Sequence, residues 1–429
     1  MTLQIVALVV LAGAFVLGTA RPINLGAIAL AATFVIGILV AGLSSDDAVS
    51  GFPVDLMLIL VGVTYLFNVA RANGTIDWLI ASAIQMIGGR TVLIPWIMFA
   101  LTALLSAIGA VFSPPIVAPI ALAFAARHRI PQPMMGILVV HGAAAGSLSP
   151  ISVYGVTVAG VLNKSGLPSD PWGLFALAFT ASLLPAIAVF VVYGGLRLRR
   201  VEQGSGEDGG ELPPPSGGTA TATATAIVAK PALNVDIVLT SLAIAGMFVG
   251  AIMDLDVGLL AITLATLLAL HRHEPHAAAL RNVPWTLVLL VGGTITYVGV
   301  LEQIGAIELL GNSALAIGAP VATVLLLAYV AGIVSAFASS AGTIAALTPL
   351  AVPLLENSTL SVLPVVAVIA IAASIVDVSP FSGNGAAVIA NATEDARERV
   401  YRTQLVYGGG VVLLAPVLLW LAVVLPSTG

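Results

Sequence analysis

The sequence predicts an all-α polytopic membrane protein built from two inverted repeats, each with five transmembrane helices and one re-entrant hairpin. Three observations lead there: an extreme apolar composition, a duplication at a nearly constant offset, and a one-sided distribution of basic residues. Of 429 residues, 59% are hydrophobic and 8% charged. A soluble domain is nearer a quarter charged, so lipid is the solvent for this chain. The formal net charge of −5 is thinly spread and argues against a nucleic-acid partner. Cysteine is absent, which excludes disulfides, thiolate metal sites and cysteine nucleophiles. Five histidines without ligand spacing give no reason to expect a transition metal.

The elements follow in order. Apolar runs near 3–19, 24–42, 54–70, 91–126, 134–162 and 173–195 fill the first half, and 235–253, 257–270, 284–301, 319–355, 363–391 and 404–425 the second. The first run lacks the basic segment of a signal peptide and has a counterpart in Val235 to Met253, so it reads as a span. A crossing helix needs about 20 apolar residues. The 91–126 stretch is too short for two crossings and is bent at Ser113-Pro114-Pro115, so it reads as a re-entrant hairpin, with Gly342 and Thr343 at the matching bend. Met134–Leu162 and Leu363–Asn391, 29 residues each, are too long for one straight helix. A Ser-Pro-x-Ser motif interrupts each, which predicts two half-helices around an unwound middle.

Between the halves, residues 202–232 run through an acidic Gly-rich stretch, Pro213-Pro214-Pro215 and Thr-Ala repeats. Such a composition builds no core and reads as a flexible linker. It separates a first repeat at 1–201 from a second at 233–429. Ser149-Pro150-Ile151-Ser152-Val153-Tyr154-Gly155 matches Ser379-Pro380-Phe381-Ser382-Gly383-Asn384-Gly385 at an offset of 230. Val61-Gly62-Val63-Thr64 matches Val291-Gly292-Gly293-Thr294 at the same offset, and Gly26 matches Gly258 at 232. Ordered matches of this kind indicate internal duplication.

Five crossings is an odd count, so the second copy is inverted. With the N-terminus outside, ten crossings put fourteen of the fifteen Lys and Arg residues inside and only Lys164 outside. Cytoplasmic loops collect these residues. The expectation is a multi-pass protein of the plasma membrane, in contact with lipid, with both termini outside and the linker cytoplasmic.

Inverted repeats with broken helices are a transporter design, in which half-helix ends near the midplane bind the cargo. An unwound backbone is tolerated in hydrocarbon only where it lines a cavity. Its freed amides carry partial positive charge and attract anions. A single intramembrane Ser or Thr usually bonds its own backbone, but clusters at four matching positions favour a site. The candidate substrate ligands are Ser113, Ser149 and Ser152 from the first half and Thr343, Ser382 and Asn384 from the second. Two facing donor clusters suit a short dicarboxylate, which has a charge at each end. No Lys or Arg lies deep in a span, so a dianion there needs dipoles, hydroxyl and amide donors, and co-bound cations. Asp377 is the only acid deep in a span and is the candidate sodium ligand or proton carrier. His141 reads as a core histidine bonded to a hydroxyl.

At these residues the chain resembles the ion transporter superfamily, specifically the divalent anion/sodium symporter group, and within it the MatC-type malonate and dicarboxylate carriers of bacteria. Ser113 and Ser147 to Gly155 occupy the positions of that group's first hairpin tip and broken helix, and Ser339 to Thr343 and Asp377 to Gly385 those of the second pair. The resemblance implies a homodimer, an elevator-type transport domain, and a cation site of Asp377 with Ser340, Ser379 and Gly383. The group's Ser-Asn-Thr hairpin tip is replaced here by Ser113-Pro114-Pro115 and Ser340-Ala341-Gly342-Thr343. The expected function is secondary transport of a malonate- or C4-like dicarboxylate by symport with Na+ or H+, without an enzymatic step or resident cofactor. A proton-coupled or exchange carrier of another anion is the alternative, and an intramembrane serine hydrolase using Ser382 or Ser152 with His141 a remote one.

Overall fold

The computed structural model describes residues 2–21, 23–85, 91–110, 113–198, 232–253, 255–271, 274–306, 309, 320–337, 340–356 and 358–428. The linker read at 202–232 lies outside them except for its last residue, as does Ser339. Regular structure among the described residues is helical throughout. The first half comprises α1 (Thr2–Ala20), α2 (Leu25–Ala32, continued as a π-helix to Val40), α3 (Ser45–Val49), α4 (Val54–Ala72), α5 (Thr75–Gln85), α6 (Leu93–Ala107), α7 (Ser113–Arg127), α8 (Gln132–Gly146), α9 (Val153–Lys164) and α10 (Pro171–Val192). The second comprises α11 (Val235–Ile252), α12 (Val257–His271), α13 (Glu274–Arg281), α14 (Trp285–Gln303), α15 (Pro320–Phe337), α16 (Ser340–Glu356), α17 (Val362–Ile375), α18 (Gly383–Asn391) and α19 (Glu394–Leu419). Five helical stretches among the described residues are long and apolar enough to cross a membrane, and the shorter apolar helices fall between 10 and 17 residues.

The helices form two groups. In the first, α8 and α17 are the central axes. Every residue of α8 is buried, and α17 is enclosed continuously from Val365 to Ile375. A helix that is apolar on all sides sits in a protein core or in lipid, and these two sit in the core. Each is wrapped by the hairpin of its own half, α6–α7 or α15–α16, with α10 and α19 packed outside. The second half-helices cross over: α9 packs on α16, and α18 on α7.

The second group exchanges partners in the same reciprocal way, α4 packing on α12 and α14 on α2. Glycine permits both approaches. A Cβ on Gly26 would stand 2.0 Å from the Leu289 carbonyl oxygen, and one on Gly258 2.6 Å from the Ile59 nitrogen. Small residues let helix backbones meet where no hydrophobic drive exists between helices in lipid.

Long-range hydrogen bonds sort into two ends. At one end Asn24 donates to the Thr286 carbonyl, Asn68 to that of Ala279, Asn73 to the Thr240 hydroxyl and Gln132 to that of Thr393. At the other, Gln4 donates to the Ile304 carbonyl, Lys164 to that of Gly51 and Gln303 to that of Asp47. The ten-crossing thread assigns each set to a single face.

Both 29-residue segments break where expected, α8 ending at Gly146 and α9 starting at Val153, α17 giving way to a 3-10 turn at Val376–Val378 and α18 starting at Gly383. The hairpin tips need correction. Ser113 opens α7, and Gly342 and Thr343 lie in the first turn of α16 rather than at the bend. Proline suits a first helical turn as well as a bend, because its missing N–H has no intrahelical partner to lose there.

Candidate functional site

The two breaks share one construction. Ser152 caps α9 by accepting from the Gly155 amide at 3.3 Å, and Ser382 caps α18 by accepting from Gly385 at 3.0 Å. Each cap hydroxyl also donates back to two carbonyls of its own break, Ser147 and Ser149 in one case, Asp377 and Ser379 in the other. The carbonyl of the first serine presses against the glycine six residues on: a Cβ on Gly155 or Gly385 would lie 2.0 Å from the oxygen of Ser149 or Ser379. The motif is therefore Ser-Pro-x-Ser-x-x-Gly, and both of its serine hydroxyls bond within the turn.

The hairpin tips are tied by a second repeated contact. Ser106 and Ser113 hydroxyls meet at 2.7 Å, and so do those of Ser335 and Ser340. Beyond this the halves differ. Ser340 also contacts Asp377 Oδ1 at 2.6 Å, and Asn384 Nδ2 donates to Asp377 Oδ2 at 3.2 Å. The first half has Ser147 at the position equivalent to Asp377, and its hydroxyl donates to the Ala144 carbonyl of its own helix.

These contacts set a hydrogen count. The Ala373 carbonyl can only accept, so Ser335 donates to it at 2.6 Å. The Ser335–Ser340 and Ser340–Asp377 contacts then require two more hydrogens, and the Ser340 hydroxyl has one. With Asp377 ionised, one serine hydrogen must be shared between two acceptors, as in the caps. A proton on Asp377 removes the sharing.

A crevice of about 340 Å³ opens between the breaks, lined by Ser106, Gly109, Ala110, Ser147, Ser152, Tyr154, Asp377 and Asn384 among others. It lies at the α9 N-terminus, where partial positive charge favours an anion. Asn384 Oδ1 is buried beside it without a partner among the described residues. Gly109 holds a φ of +99°, and a Cβ there would meet Val63 Cγ1 at 2.3 Å, so only glycine lets the tip sit this close to α4.

Of the residues singled out in the sequence, Ser152, Asp377 and Asn384 line the crevice. Ser113, Ser149, Ser340, Ser379 and Ser382 are buried around it and engaged in the turns and tips. Thr343 is buried in α16, and Gly383 faces outward with open space around its Cα. Ser106, Ser147, Tyr154 and the Gly109–Ala110 tip were missed. Ser147 and Tyr154 stand at the offset of 230 from Asp377 and Asn384, a signal that would have found them. His141 is fully buried and its Nε2 meets the Tyr407 hydroxyl at 2.6 Å, as expected of a core histidine. Its bond is to that tyrosine and not to Ser152 or Ser382, whose hydroxyls face backbone carbonyls.

Comparison with known proteins bears on the family and the fold. Residues 1–147 match the family model described as the dicarboxylate carrier protein MatC N-terminus. The likeness to MatC-type carriers read from the sequence holds over that stretch. The whole fold is similar to the crystal structure of the YdaH transporter of Alcanivorax borkumensis, described as having an unusual topology, with a TM-score of 0.59 over 88% of this chain and 87% of that one. At 15% identity this is a likeness of fold alone. No curated protein sequence matches the chain. The chain is thus an all-α multi-pass membrane protein with a fold similar to that of the YdaH transporter.

Proposed function

We propose that this protein is a secondary active carrier of a small dicarboxylate, malonate- or C4-like, working by cation symport in the plasma membrane. The N-terminal match to the dicarboxylate carriers supports the cargo class. The observation that carries the mechanism is Asp377, itself buried, in the wall of a crevice with no basic side chain among its described lining residues. A dianion entering beside an ionised carboxylate is repelled, and neither charge has bulk water to screen it. Neutralising Asp377 with a cation removes the penalty, so occupancy of the anion site and of the cation site rise together. Reciprocal packing of the halves supports an inverted duplication, and the grouping of α6–α10 with α15–α19 supports an elevator-type moving domain. A homodimer completes the proposal.

Sodium and a proton are both cations that Asp377 can take. The hydrogen count along Asp377, Ser340, Ser335 and the Ala373 carbonyl favours the proton, while the unpartnered Asn384 Oδ1 beside the carboxylate favours a bound sodium ion. The test is uptake of labelled C3 to C6 acids into proteoliposomes under an imposed sodium gradient or an imposed pH gradient. Accumulation of a dicarboxylate under one gradient is expected. Failure to take up any dicarboxylate under either would sink the proposal.

A further inference from the structure

Gly109 and Ala110 line the crevice on one side and a second, larger space of about 1250 Å³ on the other. The polar lining of this vestibule comes from Thr64, Asn68, Arg71 and Asn282, at the end of the molecule that holds the Asn68–Ala279 and Asn24–Thr286 bonds. Arg71 sits in the last turn of α4. It is exposed, and it forms no salt bridge among the described residues. Among the described residues its guanidinium is the one charge lining the vestibule and the one basic group along either space. Asp77 on α5, outside the spans, is the acid that feels it: burial pushes the Asp77 carboxyl above its ordinary value and the Arg71 charge acts against that shift.

We infer that the vestibule is an antechamber for the dicarboxylate, in which Arg71, with the Asn68 and Asn282 amides on the same walls, holds the anion before it passes the Gly109–Ala110 tip. This rests on the reading of the protein as a dicarboxylate carrier. A guanidinium matches a carboxylate with two parallel donors. A mouth of one charge sign raises the local concentration of the opposite ion. The central crevice lacks a basic side chain, so the antechamber supplies attraction at the point where the anion begins to lose water. Release is preserved because Arg71 remains in contact with solvent and binds only loosely.

The test uses the absence of cysteine from the native chain. Arg71→Cys is reconstituted and assayed for uptake of a labelled C4 dicarboxylate below saturation and at low ionic strength. Uptake efficiency should fall by about three- to tenfold, the scale of one charge acting on a dianion several ångströms away in water. A cationic methanethiosulfonate should restore it, an anionic one should depress it further, and a neutral one should do neither. The wild type is the control for all three reagents. Asn282→Cys reads the same sign dependence with Arg71 in place, should Arg71→Cys fail to fold. A response blind to the sign of the reagent in both variants, with normal wild-type uptake, overturns the antechamber alone. Absence of dicarboxylate uptake by the wild type overturns the carrier reading and the antechamber with it.

Discussion

Replacing Asp377 by asparagine separates the charge of this residue from its hydrogen bonds. An amide in place of the carboxyl keeps one donor and one acceptor. Its Nδ2 can donate to Ser340 and let Ser340 donate to Ser335, while its Oδ1 accepts from Asn384 Nδ2, so the contacts at 2.6, 2.7 and 3.2 Å all survive. The stability change should stay within about 1 kcal/mol. Alanine removes both acceptor oxygens and leaves the Ser340 hydroxyl and Asn384 amide unmet, at about 1–3 kcal/mol each. Thermal unfolding in detergent should therefore rank the wild type and Asp377→Asn together, well above Asp377→Ala. Function should rank differently. Asparagine mimics a permanently neutral Asp377, so exchange of dicarboxylate should persist while gradient-driven accumulation is lost. If sodium is the coupling ion, losing a charged ligand worth about 1.5–3 kcal/mol raises its half-saturating concentration by roughly ten- to a hundredfold. If the proton is, the pH dependence of uptake disappears. Wild-type dependence on both sodium and pH in Asp377→Asn would refute the assignment.

Other perturbations test the remaining parts. Asn384→Ala should raise the half-saturating dicarboxylate concentration by about tenfold or more, because it removes an amide from the crevice wall; unchanged half-saturation would remove Asn384 from the anion site. Gly26→Ala and Gly258→Ala should both abolish stable insertion, since the new methyl meets backbone within 2.6 Å, whereas Gly246→Ala, with nothing within 4 Å, should express normally. Equal yields of all three by gel filtration would mean that the helix approaches are misplaced. Gly109→Ala should lose activity beyond rescue by Val63→Ala, because trimming the valine removes the clash but leaves about 1–3 kcal/mol of strain at a φ of +99°. Single cysteines at Ser205 and Ser427 should label from opposite faces of the membrane, and labelling of both in intact cells would overturn the inverted topology.

The break geometry was readable because it is local. Ser-Pro-x-Ser in an apolar run leaves a cap hydroxyl, a missing N–H and a turn within a few residues, and the observed ends of α8 and α18 follow from those alone. The hairpin tips were less readable, because proline and glycine are equally at home in a bend and in a first helical turn, as Ser113-Pro114-Pro115 shows. The asymmetry of the site was hidden for another reason. Matched serines in two copies implied matched donor clusters, but most of those hydroxyls are consumed by their own turns, and which side chains remain depends on what the other half places opposite them.

By itself the sequence determined the membrane setting and the position of each break, since composition and capping chemistry act within one segment. Only the tertiary structure decided that Asp377 is held by Ser340 and Asn384, that Ser106 and Tyr154 share its crevice, and that Arg71 lines the space on the other side of Gly109 and Ala110. Apart from the Asp377–Asn384 bond, those relations join residues tens to hundreds of positions apart, and they depend on how closely helices can approach, which no local pattern of residues encodes.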